Sequence, residues 1–138
     1  MGKGSAPDPR VWRLLDANAN RAREGLRVIE DTARFVLSRP AASKALRDIR
    51  HRLDALLRSR YRLLVTHRDV AADSGRTRQA VPYAEGVQSV LAANFKRAEE
   101  ALRVLEEYGR LVSPSAVAHV QTLRFGVYQW EKKLLTKM

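Results

Sequence analysis

Asparagine, arginine and glutamate recur at matching positions in two segments of the chain. The segment ANANRAREGLRVIED (17–31) returns 76 residues later as ANFKRAEEALRVLEE (93–107). Over 17–34 against 93–110 the two segments are identical at 10 of 18 positions, charged ones included. A guanidinium group binds phosphate through parallel N–H donors, and amides add further donors. The repeated arginines and asparagines are therefore candidates for binding a phosphorylated ligand.

Drawn as a helix at about 100° per residue, the first segment points several polar side chains toward its apolar face. Asn18 falls inside the apolar arc, and Arg21 and Glu30 fall on its two edges. The same angles in the second segment belong to Asn94, Arg97 and Glu106. Burying an amide or a charge without a partner costs several kcal/mol. These groups must therefore pair with one another or line a polar cavity.

A weaker repeat adds two more arginines to this set. The stretch IRHRL (49–53) resembles LRFGV (123–127), which places Arg50 opposite Arg124, and both lie within apolar helical stripes. One interpretation is a polar network that only fixes helix register. Six or more inward polar groups are costly in one small domain, however, and this favours a site for an anion.

Apolar residues spaced by three and four predict four helices. The first should begin near Pro9 and end around Ser38, because Pro40 disfavours helix in the residue before it. The second should run from Pro40 to about Val65, and the third from Val87 to Leu111. Ser113 is the expected N-cap of the fourth helix, with Pro114 at its first position.

Each pair of helices alone would leave an apolar stripe in water, so the two pairs should cover each other. The sequence thus predicts an all-α fold, a four-helix bundle of two pseudo-symmetric helical hairpins joined by a long loop. The hairpins are predicted at 10–65 and 87–137, and the connecting loop at 66–86. Residues 1–9 are expected to form a flexible leader before a single helical domain, 10–138.

Composition narrows the function classes. The 138 residues carry a formal net charge of +11, and 20 of the 26 basic residues are arginine, which reflects either a GC-rich genome or phosphate binding. The absence of cysteine excludes disulfides and thiolate chemistry and fits a cytoplasmic protein. No apolar run approaches the roughly 20 residues of a membrane span. Neither a P-loop nor GxGxxG occurs, and the three histidines lack zinc-ligand spacing.

The connecting loop contains further charged groups in RDVAADSG (68–75). Asp69 and Asp73 stand four residues apart, and two carboxylates near a phosphate site could hold Mg²⁺. Alternatively, Asp73-Ser74-Gly75 is a simple turn. Long loops inside compact domains are often functional, which adds Arg68 to the candidate residues.

Four stretches together resemble one small bacterial family: DANANRAREGLRVIEDTARFVL (16–37), RDVAADSG, NFKRAEEALRVLEEYGR (94–110) and LRFGVYQWEK (123–132). Its members are monofunctional hydroxymethylpyrimidine phosphate kinases of thiamine biosynthesis, standing alone or fused in front of thiamine-phosphate synthase. The resemblance spans Leu14 to about Lys133. It implies transfer of a phosphoryl group from ATP, with Mg²⁺, to 4-amino-5-hydroxymethyl-2-methylpyrimidine phosphate, giving the diphosphate.

For a kinase of this kind, we hypothesise a role for each candidate residue. Four arginines would clamp phosphates: Arg21, Arg50, Arg97 and Arg124. Asn18 and Asn94 would orient the phosphates or bind the pyrimidine, and Glu30 and Glu106 would position the arginines or face the metal. Arg68 and Asp69 would close over the site, with Asp73 on Mg²⁺. The two repeats differ at Asn20/Lys96 and Arg23/Glu99, as expected if one half serves the nucleotide and the other the pyrimidine.

The main alternative is a non-catalytic basic helical module that binds nucleic acid or a phosphorylated ligand. It predicts arginine and lysine on one continuous outer face, with salt-sensitive affinity. Several arginines instead lie inward and acidic residues alternate with them, which argues against nucleic acid. A membrane partner is not expected. The oligomeric state, including a homo-oligomer, is left open by the sequence, as is fusion to thiamine-phosphate synthase.

Overall fold

Helices make up all the regular structure in the part of the chain that the computed structural model describes, residues 7–77 and 83–138. The predicted leader and connecting loop therefore lie partly outside the described residues. In chain order the helices are α1 (Pro9–Asp31), α2 (Pro40–Leu57), α3 (Tyr61–Thr66), α4 (Val87–Gly109) and α5 (Pro114–Leu135). The four long helices form the predicted four-helix bundle, which confirms the fold class. No helix in the described ranges is long and apolar enough to cross a membrane.

The helix ends follow the local signals in the sequence. Asp8 caps α1 by accepting a hydrogen bond from the Arg10 amide at 2.8 Å, and Ser113 and Pro114 begin α5 as predicted. After α1, a π-helical turn at Thr32–Val36 leads to Ser38, whose φ of 52° is left-handed. That conformation, uncommon for a residue with a Cβ, reverses the chain into α2.

The packing follows the internal repeat. Helix α1 packs on α2 and α4, and α5 packs on α4 and α2, so each hairpin covers the other. The equivalent helices α1 and α4 cross closely through small residues. A Cβ added to Gly25 would lie 3.1 Å from the Asn94 carbonyl oxygen and 3.4 Å from the Ala98 amide nitrogen. Glycine at this position is what lets the two backbones approach.

The core is a continuous apolar layer from all four long helices. Its largest fully buried side chains are Leu26, Ile29, Leu46, Leu53, Leu91, Phe95, Leu102, Val127 and Leu134. Burying each such side chain stabilises the fold by roughly 1.5–3 kcal/mol. The core holds the faces of α1 and α4 in fixed register, so the polar residues at the edges of the apolar stripes have fixed positions as well.

The second helix differs from the prediction. Instead of running unbroken to Val65, it gives way to a 3₁₀ turn at Arg58–Arg60 before α3 begins. Leu64 of α3 is buried against the bundle, so the helical spacing of apolar residues continues beyond the 3₁₀ turn. The sequence pattern alone therefore did not reveal the turn. The third helix ends at Gly109 rather than Leu111.

Candidate functional site

Arg21 and Arg97, equivalent in the two repeats, line one cavity on the surface between α1 and α4. We call it the α1–α4 groove, and its volume is about 360 Å³. Its lining residues are Asn18, Arg21, Ala93, Lys96, Arg97, Glu100, Ala101 and Val104. The two arginines come together because α1 and α4 run antiparallel and cross between them. Three basic side chains against one acidic one make the groove suited to an anion.

Only one of the two groove arginines has an ion pair in the described residues. Arg97 Nη2 lies 3.4 Å from Glu24 Oε1 on the opposite helix, and the two side chains are 48% and 66% exposed. The contact joins the two repeats across the helix crossing. Arg21 is exposed, which leaves its guanidinium accessible to a ligand.

The repeated asparagines make the same local bond. Asn18 Nδ2 donates to the Leu14 carbonyl at 3.0 Å, and Asn94 Nδ2 donates to the Val90 carbonyl at 2.9 Å. Each bond fixes the amide group and uses one of its N–H donors. Asn18 lines the groove, whereas Asn94 is not among the residues around it.

The other two arginines lie apart from the groove. Arg50 donates from Nε and Nη2 to Glu30 Oε1 at 3.0 and 2.9 Å. Arg124 donates from Nε to Glu106 Oε2 and from Nη2 to Glu106 Oε1, and that carboxylate raises the pKa of the Arg124 guanidinium. The structure therefore does not bring the four candidate phosphate-clamping arginines to one pocket, since only Arg21 and Arg97 line the groove. Each inner glutamate instead takes the arginine of its own hairpin, which resolves the cost of burial.

A second cavity of about 210 Å³ adjoins the groove where the connecting segment crosses α1. We call it the connector pocket, and Arg21 lines both cavities. Its other lining residues are Arg13, Asp16, Ala17, Asn20, Glu24, Arg68, Asp69, Val70 and Asp73. Unlike the groove, this pocket has more acidic than basic side chains in its wall.

Within the described residues, two polar contacts tie the connecting segment to α1. Arg68 donates from Nε and Nη2 to the two oxygens of Asp16 at 2.8 and 2.7 Å, and this pairing raises the pKa of Arg68. Arg13 Nη2 donates to the Asp69 carbonyl at 3.1 Å. The prediction missed Asp16, which is buried and has no equivalent in the second repeat, where Ala92 stands.

The two connector carboxylates both stabilise turns. Asp69 Oδ1 accepts from the Ala72 amide at 3.1 Å, and Asp73 Oδ1 accepts from the Gly75 amide at 2.8 Å. The turn interpretation of Asp73 is thus confirmed. Both carboxylates keep their Oδ2 outside these bonds, so a metal role stays a prediction. No group of three or more metal-ligating side chains occurs within 7–77 and 83–138.

Sequence reasoning also missed a charged cluster beside the groove. Lys96 Nζ lies 3.2 Å from Glu99 Oε1 and 3.1 Å from Glu131 Oε2 of α5. Glu99 is buried, and its Oε2 has no hydrogen-bond partner among the described residues. Burial and the neighbouring Glu131 carboxyl raise the pKa of Glu99 to about 7, although Lys96 opposes the shift. The only signal in the sequence was the divergence of positions 96 and 99 from positions 20 and 23.

Comparison with known proteins places the whole bundle in one family. The model of the ThiD2 family matches residues 13–133, nearly all of the described fold. The chain belongs to the ThiD2 family. The matched region takes in both repeats, the connector and most of α5, so the groove and the connector pocket lie inside the part that defines the family.

Curated relatives share the same region within longer chains. A thiamine-phosphate synthase of Parasynechococcus marenigrum (strain WH8102) is 46% identical over 99% of this chain, and thus over 39% of that protein. Proteins of the same name from Synechococcus sp. (strain CC9605) and Nostoc punctiforme are 44% and 41% identical over about 90% of the chain. The chain spans less than two fifths of the length of these relatives. No solved structure matches the chain.

Proposed function

We propose that this ThiD2 family domain transfers the γ-phosphoryl group of ATP to 4-amino-5-hydroxymethyl-2-methylpyrimidine phosphate. An oxygen of the acceptor phosphate bonds to the γ-phosphorus, the bond from that phosphorus to the bridging oxygen breaks, and ADP leaves. The family membership, the names of the relatives and the resemblance of the motifs support this step in thiamine biosynthesis. Thiamine-phosphate synthase, the name of the longer relatives, would then use the diphosphate.

The observation that carries the proposal is the position of Arg21 between two cavities. Phosphoryl transfer between two phosphorylated molecules needs neighbouring binding pockets that meet at the reacting phosphate. The α1–α4 groove and the connector pocket adjoin, and Arg21 belongs to the walls of both. A guanidinium at this junction can contact the donor and the acceptor at the same time.

The residues present suit a reaction that needs no strong general base. The acceptor is a phosphate monoester, whose second pKa of about 6 leaves it largely dianionic at neutral pH. The main barrier is repulsion between two anions, together with their alignment. Arg21 and Arg97 would oppose that repulsion, and Asn18 would orient the acceptor through its amide oxygen or an ordered water. Arg50 and Arg124 would support the helices through their glutamates rather than touch substrate.

Magnesium, when bound, would neutralise part of the charge of the nucleotide phosphates. Mg²⁺ is often held by one or two carboxylates plus substrate phosphates and water, rather than by a cage of protein ligands. The free Oδ2 atoms of Asp69 and Asp73 in the connector pocket fit that pattern. We assign the metal to these two side chains.

A nucleic-acid-binding module remains the rival function. Its support is the net charge of +11. On the exposed faces, however, arginines are paired with carboxylates one turn away, as in Arg27 with Asp31 and Arg103 with Glu107. Such pairing weakens the continuous positive surface that a duplex or single strand would need.

A coupled assay of ADP release tests the proposal. Wild-type protein with Mg-ATP should release ADP when the pyrimidine monophosphate is added, and Arg21→Gln should lower kcat/KM about 10²-fold or more. Arg27→Gln is the matched control, since Arg27 lies six residues further along α1 with its side chain exposed. Absence of ADP release by folded wild-type protein would reject the kinase assignment.

A further inference from the structure

The two repeats differ in charge at the equivalent positions 20 and 96, and Lys96 lies beside the groove. The equivalent residue of the first repeat is Asn20, whose Oδ1 accepts a hydrogen bond from Arg23 at 2.5 Å. The pseudo-symmetric fold thus has a neutral amide at one position and an ammonium group at the other. Lys96 lines the α1–α4 groove, and its side chain is 59% exposed.

Two carboxylates that lie outside the groove hold this ammonium group in position. Lys96 Nζ contacts Glu99 Oε1 on its own helix and Glu131 on α5, and neither glutamate lines the groove. An ammonium group has three N–H donors, so these two contacts leave one donor free. The pKa of Glu99 lies near 7, which reduces the negative charge opposing Lys96 at neutral pH.

The connector pocket has a different arrangement. Its wall has four carboxylates beside three arginines, and only Asp16 is buried behind an arginine, so Glu24, Asp69 and Asp73 remain at the surface. Carboxylates at the surface of a wall favour an anion that brings a cation with it, as a magnesium nucleotide does. In the α1–α4 groove the cationic side chains line the cavity, and Glu99 and Glu131 lie outside it. An anion can therefore bind there without a metal.

We propose that Lys96 is a further phosphate-binding residue and commits the α1–α4 groove to the phosphorylated pyrimidine, which leaves the connector pocket for the phosphate tail of the magnesium nucleotide. This assignment rests on the proposed function. The groove's volume of about 360 Å³ lies within the range of pockets that enclose small ligands, about 300–1,000 Å³. Glu131 acts on the ligand only through Lys96 and is a positioning residue.

Calorimetric binding without turnover tests the assignment. Lys96→Asn, which installs the residue of the first repeat, should weaken the pyrimidine monophosphate about tenfold, because one charge-assisted hydrogen bond is lost. The dissociation constant of Mg-ADP should change less than twofold, and Lys96→Arg should restore most of the affinity for the monophosphate. Lys44→Asn, an exposed lysine on α2, is the matched control. Unchanged affinity for the monophosphate in Lys96→Asn, or a loss for Mg-ADP alone, would overturn the assignment.

A double-mutant cycle separates positioning from a structural role. Glu131→Gln alone should weaken the monophosphate, and in the Lys96→Asn background it should have no further effect. Equal effects in both backgrounds would overturn the role of Glu131. The assignment of the α1–α4 groove as an anion site can also be tested if the protein shows no kinase activity. Binding of inorganic phosphate that depends on Lys96 would support the anion site even without turnover, and binding that Lys96→Asn leaves intact would reject it.

Discussion

Arg21 and Arg97, equivalent residues of the internal repeat, meet across the crossing of α1 and α4 and line the same cavity. The crossing brings them together because the two helices are antiparallel and pack through small residues such as Gly25. Duplication of a single hairpin thus produced a two-arginine site that neither hairpin has alone. The groove and the connector pocket beside it are the basis of the predictions that follow.

Replacing Arg50, the partner of the buried Glu30, should lower the free energy of unfolding of the bundle. Arg50→Met leaves the Glu30 carboxylate buried without its partner, and breaking a buried pair in this way costs about 3–5 kcal/mol. Urea unfolding should show the loss, while Arg47→Met on the exposed face of α2 should be within about 0.5 kcal/mol of wild type. The double variant Glu30→Leu/Arg50→Met should recover most of the stability. A neutral single variant would mean that the pair is not buried in solution.

The buried Glu99 should make stability depend on pH in a defined direction. Its pKa is raised from 4.5 to about 7, so the folded state binds the proton more tightly than the unfolded state does. Its stabilising contribution is therefore complete below about pH 4.5 and is lost as the pH rises toward 7 and above. The charged groups that shift it are Lys96 of α4 and Glu131 of α5.

Glu99→Gln tests that direction, because glutamine stays neutral at every pH. The melting temperature of the variant should exceed that of wild type at pH 8, and the difference should shrink on acidification to pH 5. Glu100→Gln, whose side chain is exposed on the next position of α4, should show no such trend. A difference that grows toward acid pH would contradict the raised pKa.

The connecting segment should open more often when its ion pair with α1, Arg68–Asp16, is removed. Arg68→Met removes both bonds to Asp16, and the amide of Gly75, bonded to Asp73 in the connector turn, should then exchange hydrogen faster. The core amides of α4 should keep their wild-type rates. Arg62→Met, on the exposed surface of α3, is the control. Unchanged exchange of Gly75 in Arg68→Met would show that other contacts hold the connector.

Much of this arrangement could be predicted from residue spacing. Helical periodicity predicted the four long helices. The repeat identified Asn18 as a residue inside the apolar stripe, and Arg21 and Arg97 as residues at its edge. Periodicity cannot show how one helix is rotated against another. It therefore placed both Arg50 and Glu30 toward the interior of the bundle, but it did not show that the two side chains form an ion pair with each other.

The parts that were missed depend on contacts between residues far apart in sequence. Asp16 meets Arg68 across 52 residues, and Lys96 meets Glu131 across 35. Neither pair has a local pattern, since each partner alone fits an ordinary exposed or edge position of a helix or loop. The break at Arg58–Arg60 was missed for a related reason, because the buried Leu64 continues the apolar spacing beyond it.

The most direct test of the central claim follows the transferred phosphoryl group itself. The protein is incubated with Mg-ATP labelled in its γ-phosphate and with the pyrimidine monophosphate, and the products are separated and weighed by mass spectrometry. The account predicts a pyrimidine diphosphate with the label in its terminal phosphate, formed by wild type and Arg27→Gln and nearly lost in Arg21→Gln. Label found only in inorganic phosphate, or equal product from Arg21→Gln, would contradict it.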